Sequence, residues 1–139
     1  MSDAERYLRY AALAYALGLA LHTVDHVRRG LDVVTTHVEV AGNLSTVVGI
    51  TAVVLVLIGN RWGPLVAVLT GFPIAFGVAA VHLLPYWSAF SDSFADGGNG
   101  ITAMSWSVVM IEIAGALAMA ITGLTVLRER RVSAATIRR

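Results

Sequence analysis

The sequence predicts an all-α integral membrane fold, a four-helix transmembrane bundle, and three observations carry that prediction. Of 139 residues, 57% are hydrophobic and only 14% are charged. Soluble domains carry about 25% charged residues, so most of this surface does not face water. The apolar residues fall into four runs, each near the roughly 20 residues a helix needs to cross a bilayer. None of the runs shows the alternation of membrane-barrel strands.

The spans are expected at about 7–27, 37–59, 64–84 and 102–127, together forming one domain. The first has the length of a secretory signal. Asp3 and Glu5 balance Arg6 and Arg9 ahead of it, so it reads as a retained span and not a cationic leader. Gly30 supplies its stop. "THVE" (36–39) reads as a capping box for the second span, with Thr36 as N-cap and Glu39 reaching back. "NRWGP" joins the second and third spans as a tight hairpin, and Pro64 suits the first turn of the third. Pro73, inside that helix, removes a ladder bond and predicts a kink. The fourth span is expected to stop at "RERR".

Four spans put Arg6, Arg9, Arg61 and the Arg128/Arg130/Arg131 group on one side. The positive-inside rule makes that side cytoplasmic, with both termini there and the chain a multi-pass protein of the cell membrane. Arg28 and Arg29 are exceptions, neutralised by expected i,i+4 pairs Asp25–Arg29 and Arg28–Asp32. Tyr7, Tyr10 and Trp62 mark the inner interface; Tyr86, Trp87 and Trp106 mark the outer one. A formal net charge of +1 gives no reason to expect nucleic acid. With no cysteine, disulfides, thiolate metal sites and cysteine nucleophiles are excluded. All basic residues are arginine, a composition of high-GC genomes.

The chemistry is concentrated at the outer helix ends, where His22, His26, His37 and His82 all fall. At about 100° per residue, Tyr15, Leu19, His22, Asp25, His26 and Arg29 form one stripe of the first helix. Gly71, Ala75, Val78, Ala79 and His82 share a face of the third. Ser105, Val108, Glu112, Gly115, Ala116, Met119 and Gly123 share one of the fourth. Small residues on these faces let backbones approach closely, so His22, His26, His82 and Glu112 are expected to converge on a common interior.

Histidines at i,i+4 can ligate one metal from one helix face. Here that pair is His22 and His26, with His82 as third ligand and Asp25, His37 or Glu39 completing or supporting the shell. Asp25 can orient an imidazole by accepting its second N–H. Nitrogen and oxygen donors without thiolates suit a divalent zinc, copper or iron ion. The predicted function is therefore a metal-binding membrane protein with an external site, a small oxidoreductase or hydrolase. Two alternatives stay open. One is a b-type haem electron carrier, using His82 with His22 or His26. The other is a non-catalytic accessory subunit of a membrane complex, or a homo-oligomer, in which the histidines are interfacial and satisfied by water, backbone or Asp25. Glu112, near mid-membrane, is the candidate catalytic residue, as a proton relay or deep ligand; its structural alternative is a protonated, hydrogen-bonded carboxyl.

Other features carry less. "SDSFADGGNG" (91–100) offers Asp92, Asp96 and Asn99 to a hard cation, but lacks the alternating oxygen pattern of an EF-hand and reads as a loop capping the fourth helix. The "NLS" sequon at Asn43 lies within a span. Met104, Met110 and Met119 read as packing.

"HTVDHVRRG" and "HLLPYWSAFSDSF" resemble stretches of small uncharacterised four-span membrane proteins of high-GC actinobacteria. That resemblance covers most of the chain. It implies the topology and no activity.

Overall fold

The computed structural model describes residues 1–30, 32–98 and 100–137. They form four helices: α1 (Asp3–Arg29), α2 (Thr36–Leu57), α3 (Gly63–His82) and α4 (Ala103–Ile137). No strand occurs among the described residues. By length and composition α2, α3 and α4 are apolar enough to cross a membrane. The fourth span, α1, is 27 residues long and carries its polarity at its two ends and along one buried stripe. The protein is an integral membrane four-helix bundle.

α4 packs along both α1 and α3, and α2 closes the ring against α3 and α1. α1 and α3 therefore face each other across the bundle. Glycines set the closeness of α4 to its neighbours. A Cβ on Gly18 would stand 2.7 Å from the Cα of Glu112, and one on Gly115 would stand 2.7 Å from the Cα of Tyr15. On the other flank, a Cβ on Gly71 would meet the Ala116 carbonyl oxygen at 2.6 Å, and one on Gly123 the Pro64 oxygen at 2.8 Å. Only glycine permits backbone contact of this kind, and dispersion at that contact replaces the hydrophobic drive that lipid removes. Each expected α4-facing position, from Ser105 through Glu112 to Gly123, is buried.

The helix ends depart from expectation in three places. Thr35, not Thr36, caps α2: its hydroxyl accepts from the Val38 amide at 3.2 Å, and Glu39 stays exposed. Adjacent threonines make the register ambiguous by one residue, and the one in extended conformation takes the cap. The capping box lies instead on α1, where Ser2 and Glu5 satisfy each other's amides. α4 does not stop at "RERR" but runs 35 residues to Ile137. Arginine and glutamate are good helix formers. The extension is also tied down: Arg130 reaches Glu5 at 3.1 Å and the Arg61 carbonyl at 3.0 Å, and Ser2 donates to Glu129 at 3.0 Å. Gly30 ends α1 at φ 103°, as expected, and Pro64 stands in the first turn of α3. α3 continues as helix through Pro73.

Candidate metal centre

The stripe on α1 is real and points inward. Tyr15, His22, Asp25 and Arg29 are buried, and His26 is half-buried beside them. Across the bundle the last residue of α3, His82, meets them. The three rings form a cluster, with centroids 4.7 Å apart for His22–His26, 4.9 Å for His22–His82 and 5.7 Å for His26–His82. Each residue offers one ligand atom, and the three atoms lie within 4.8 Å of one another. Nitrogens around a tetrahedral ion at 2.0–2.1 Å stand about 3.4 Å apart, so an ion would draw the rings together by about 1 Å.

Hydrogen bonding fixes which nitrogens are available. His22 Nδ1 bonds Glu112 Oε2, deep in the bundle, where the Glu112 residue is 2% exposed. Glu112 thus engages Nδ1, which leaves Nε2 as the His22 atom available to a ligand. His82 Nδ1 lies 3.2 Å from the Asp92 backbone oxygen and 3.4 Å from its carboxylate. The backbone oxygen can only accept, so His82 carries its proton on Nδ1 and its lone pair on Nε2. His22 Nε2 is buried and has no hydrogen-bond partner among the described residues. A buried imidazole nitrogen left unmatched is costly, and a cation is a partner that suits it. Two of the three histidines thus carry the carboxylate–imidazole arrangement that orients metal ligands.

Asp92 reaches the site because its loop folds back over the end of α3. The amides of Asp92 and Phe94 donate to the carbonyls of Val81 and His82 at 3.0 and 2.9 Å, satisfying groups the helix end leaves open. Asp92 then receives both terminal nitrogens of Arg29 at 2.7 Å. Burial alone would raise the Asp92 carboxyl. The hydrogen bonds from His82 and Arg29 overcome that and hold it well below the ordinary carboxylate range. Phe94, also buried, covers the cluster. Its ring lies 4.7 Å from that of His82 and 5.5 Å from that of Trp106, with the Arg29 guanidinium 5.2 Å above it.

The arginine pairing differs from the expected one. Asp25 pairs with Arg28, at 2.8 Å, and Arg29 pairs with Asp92. Arg29 lies on the buried stripe and turns to the loop. Arg28, half a face away, folds back on Asp25 and also donates to the Gly100 carbonyl at 2.8 Å and the Ser105 hydroxyl at 3.2 Å. The residues beside the imidazoles are therefore Glu112 and Asp92; Asp25 is fully buried, with one oxygen unmatched among the described residues. His37 and Glu39 are exposed on the first turn of α2, with the His37 ring against Phe90. Asp96 accepts from the Tyr86 amide at 2.8 Å; Asn99 lies outside the described residues.

Sequence reasoning missed Asp92 as the partner of His82, and Phe94 as a cover. Ten residues separate His82 from Asp92 along an irregular loop, which has no period to read. The one available signal was an aspartate and a phenylalanine in a loop next to a span, among residues that turn out to be buried. Compared with known proteins, the chain matches no family model, no curated protein and no solved structure. The class is that of a membrane bundle with a histidine cluster able to hold a metal ion.

Proposed function

We propose that the protein is a metal-binding membrane protein in which His22, His26 and His82 hold a divalent transition-metal ion. The arginine distribution supports a placement of this end of the bundle at the external face of the cell membrane, with both termini in the cytoplasm. The observation that carries the reading is the convergence of three imidazoles from two helices, with the Nδ1 of His22 engaged by the Glu112 carboxyl and that of His82 by the Asp92 backbone oxygen. Electrostatics favours it too. A doubly charged ion at the membrane edge needs anionic compensation, and the Glu112 carboxyl beside His22 is placed to offer it, while the charge of Asp92 is met by Arg29.

Three protein nitrogens leave coordination positions open, which is the pattern of catalytic and not of closed structural sites. The donor set suits zinc, copper or iron. Such an ion supplies Lewis-acid or redox chemistry, and the reading is of a small hydrolase or oxidoreductase. The protein's own part is to fix the imidazoles. Glu112 and Asp92 hold two rings, and Phe94 limits water. Glu112 is in position to hold a proton at its carboxylate beside His22 Nδ1.

Haem fits less well. A porphyrin would have to part His22 and His82, whose centroids are 4.9 Å apart, in a bundle whose helices touch backbone to backbone through glycine. The test is one purified sample. Its visible spectrum is expected to lack a Soret band, and elemental analysis is expected to find a transition metal near one per chain. A Soret band replaces the ion with haem. Neither metal nor haem leaves the accessory-subunit reading, with the cluster as a hydrogen-bond network.

A further inference from the structure

At the opposite end of the bundle, α1, the α2–α3 turn and α4 enclose an open cleft of about 240 Å³. Its floor is apolar and buried, made by Leu8, Val56 and Pro64. Its polar lining differs in how it is matched. Arg130 is neutralised by Glu5, whose carboxyl is held below its ordinary range first by the hydrogen bond from Arg130 and then by the Ser2 amide. Arg9 is half-buried and has no ion pair or hydrogen bond to another described residue. It lies over the α2–α3 turn, where a Cβ on Gly59 would stand 3.2 Å from its Nη2. An arginine held in a cleft without an anion has forfeited part of its hydration for nothing inside the protein.

The surroundings say what anion fits. Tyr7, Tyr10 and Trp62 are exposed at this end, the aromatic belt of a membrane–water interface. Below them the helices present apolar residues outward, Leu13, Leu17, Val54 and Leu69 among them. A ligand here has its charged head among arginines and its tail along apolar helix faces. We propose that this cleft binds the phosphate head group of an anionic phospholipid, with Arg9 as its charged contact. Guanidinium matches phosphate by charge and by its forked donors. The proposal is independent of the metal centre at the other end.

The test uses the purified full chain in detergent, with native mass spectrometry comparing phosphatidylglycerol and phosphatidylcholine of identical acyl chains. Wild type is expected to retain phosphatidylglycerol about fivefold more strongly, the effect of one arginine near an anionic head group. Arg9→Gln is expected to abolish the preference. Arg9→Lys and Arg6→Gln are expected to keep it, since Arg6 is an exposed partner of Asp3 outside the cleft. Asn60→Asp gives a second reading should Arg9→Gln fold poorly. It preserves the acceptor that Asn60 Oδ1 offers the Trp62 amide at 2.9 Å while adding a negative charge to the cleft, and is expected to remove the preference as well. No preference in wild type, or one that survives both cleft variants, overturns the proposal. So does binding of inorganic phosphate at Arg9 without lipid discrimination, which would mark a free-phosphate site.

Discussion

Replacing Gly18 by alanine should loosen the bundle and the metal centre together. The added Cβ would lie 2.7 Å from the Cα and 2.8 Å from the amide nitrogen of Glu112. Carbon atoms settle at about 3.5–4.0 Å, and these are backbone atoms that no rotamer can move aside. α1 and α4 must therefore separate by about 1 Å. Overpacking of this kind costs about 1–3 kcal/mol. Alanine returns about 1 kcal/mol in helix propensity, so the net loss of stability is up to about 2 kcal/mol. The site should suffer more. His22 lies one turn beyond Gly18, and its hydrogen-bond partner is Glu112, the residue struck by the new methyl. Ligand constellations tolerate about 0.5 Å, so metal affinity should fall at least about tenfold. Gly77→Ala is the matched control, because a Cβ there meets nothing within 4 Å. Thermal unfolding in detergent and chelator competition read the two quantities. Gly18→Ala matching Gly77→Ala in both would refute the close α1–α4 contact and its link to the site.

Glu112→Gln keeps an acceptor for His22 Nδ1 but removes the charge, and Glu112→Leu removes both. Metal affinity should fall by about 10–100-fold across the pair, more for leucine, in the same competition assay. Asp92→Asn leaves the buried Arg29 guanidinium without its anion and should destabilise by about 3–5 kcal/mol in denaturant unfolding. The Asp92 carboxyl is depressed in the folded protein, so its contribution is full above about pH 4 and is lost only as pH falls further, through the folded value. Stability loss between pH 7 and 5 in Asp92→Asn and wild type alike would then belong to other groups. Ligand imidazoles must be neutral, so metal should be released on acidification, read by retained metal after gel filtration. Arg130→Ala removes a half-exposed pair with Glu5 and should cost less than about 1 kcal/mol, with metal affinity unchanged.

Helix number, hairpin and interior faces were legible because each rests on a period or a length. Hydrophobic runs of bilayer length gave the spans, and the 3.6-residue period gave the stripe from Tyr15 to Arg29 and the face from Ser105 to Gly123. Glycine at 18, 71, 115 and 123 then brought the faces into contact. His22, His26, His82 and Glu112 followed, since each sits on such a face. The place of Asp92 beside His82 was not legible because a loop has no period, and that place depends on amide bonds to α3 carbonyls that form only in the folded chain. The Arg28 and Arg29 pairings failed for a related reason. An i,i+4 rule describes an isolated helix, and here α4 and the loop outbid it with buried partners. The end of α4 was misjudged because charge stops a membrane span but does not stop a helix.

The central claim is one shared ion on three histidines, and cobalt titration tests it most directly. Metal-stripped protein is titrated with Co²⁺, which takes zinc-like sites, and the visible bands of the bound ion are followed. Wild type should saturate near one ion per chain. His22→Ala, His26→Ala and His82→Ala should each weaken binding greatly, while the exposed His37→Ala should titrate like wild type. Wild type that binds no ion, or three cluster variants that all titrate like it, would contradict the account.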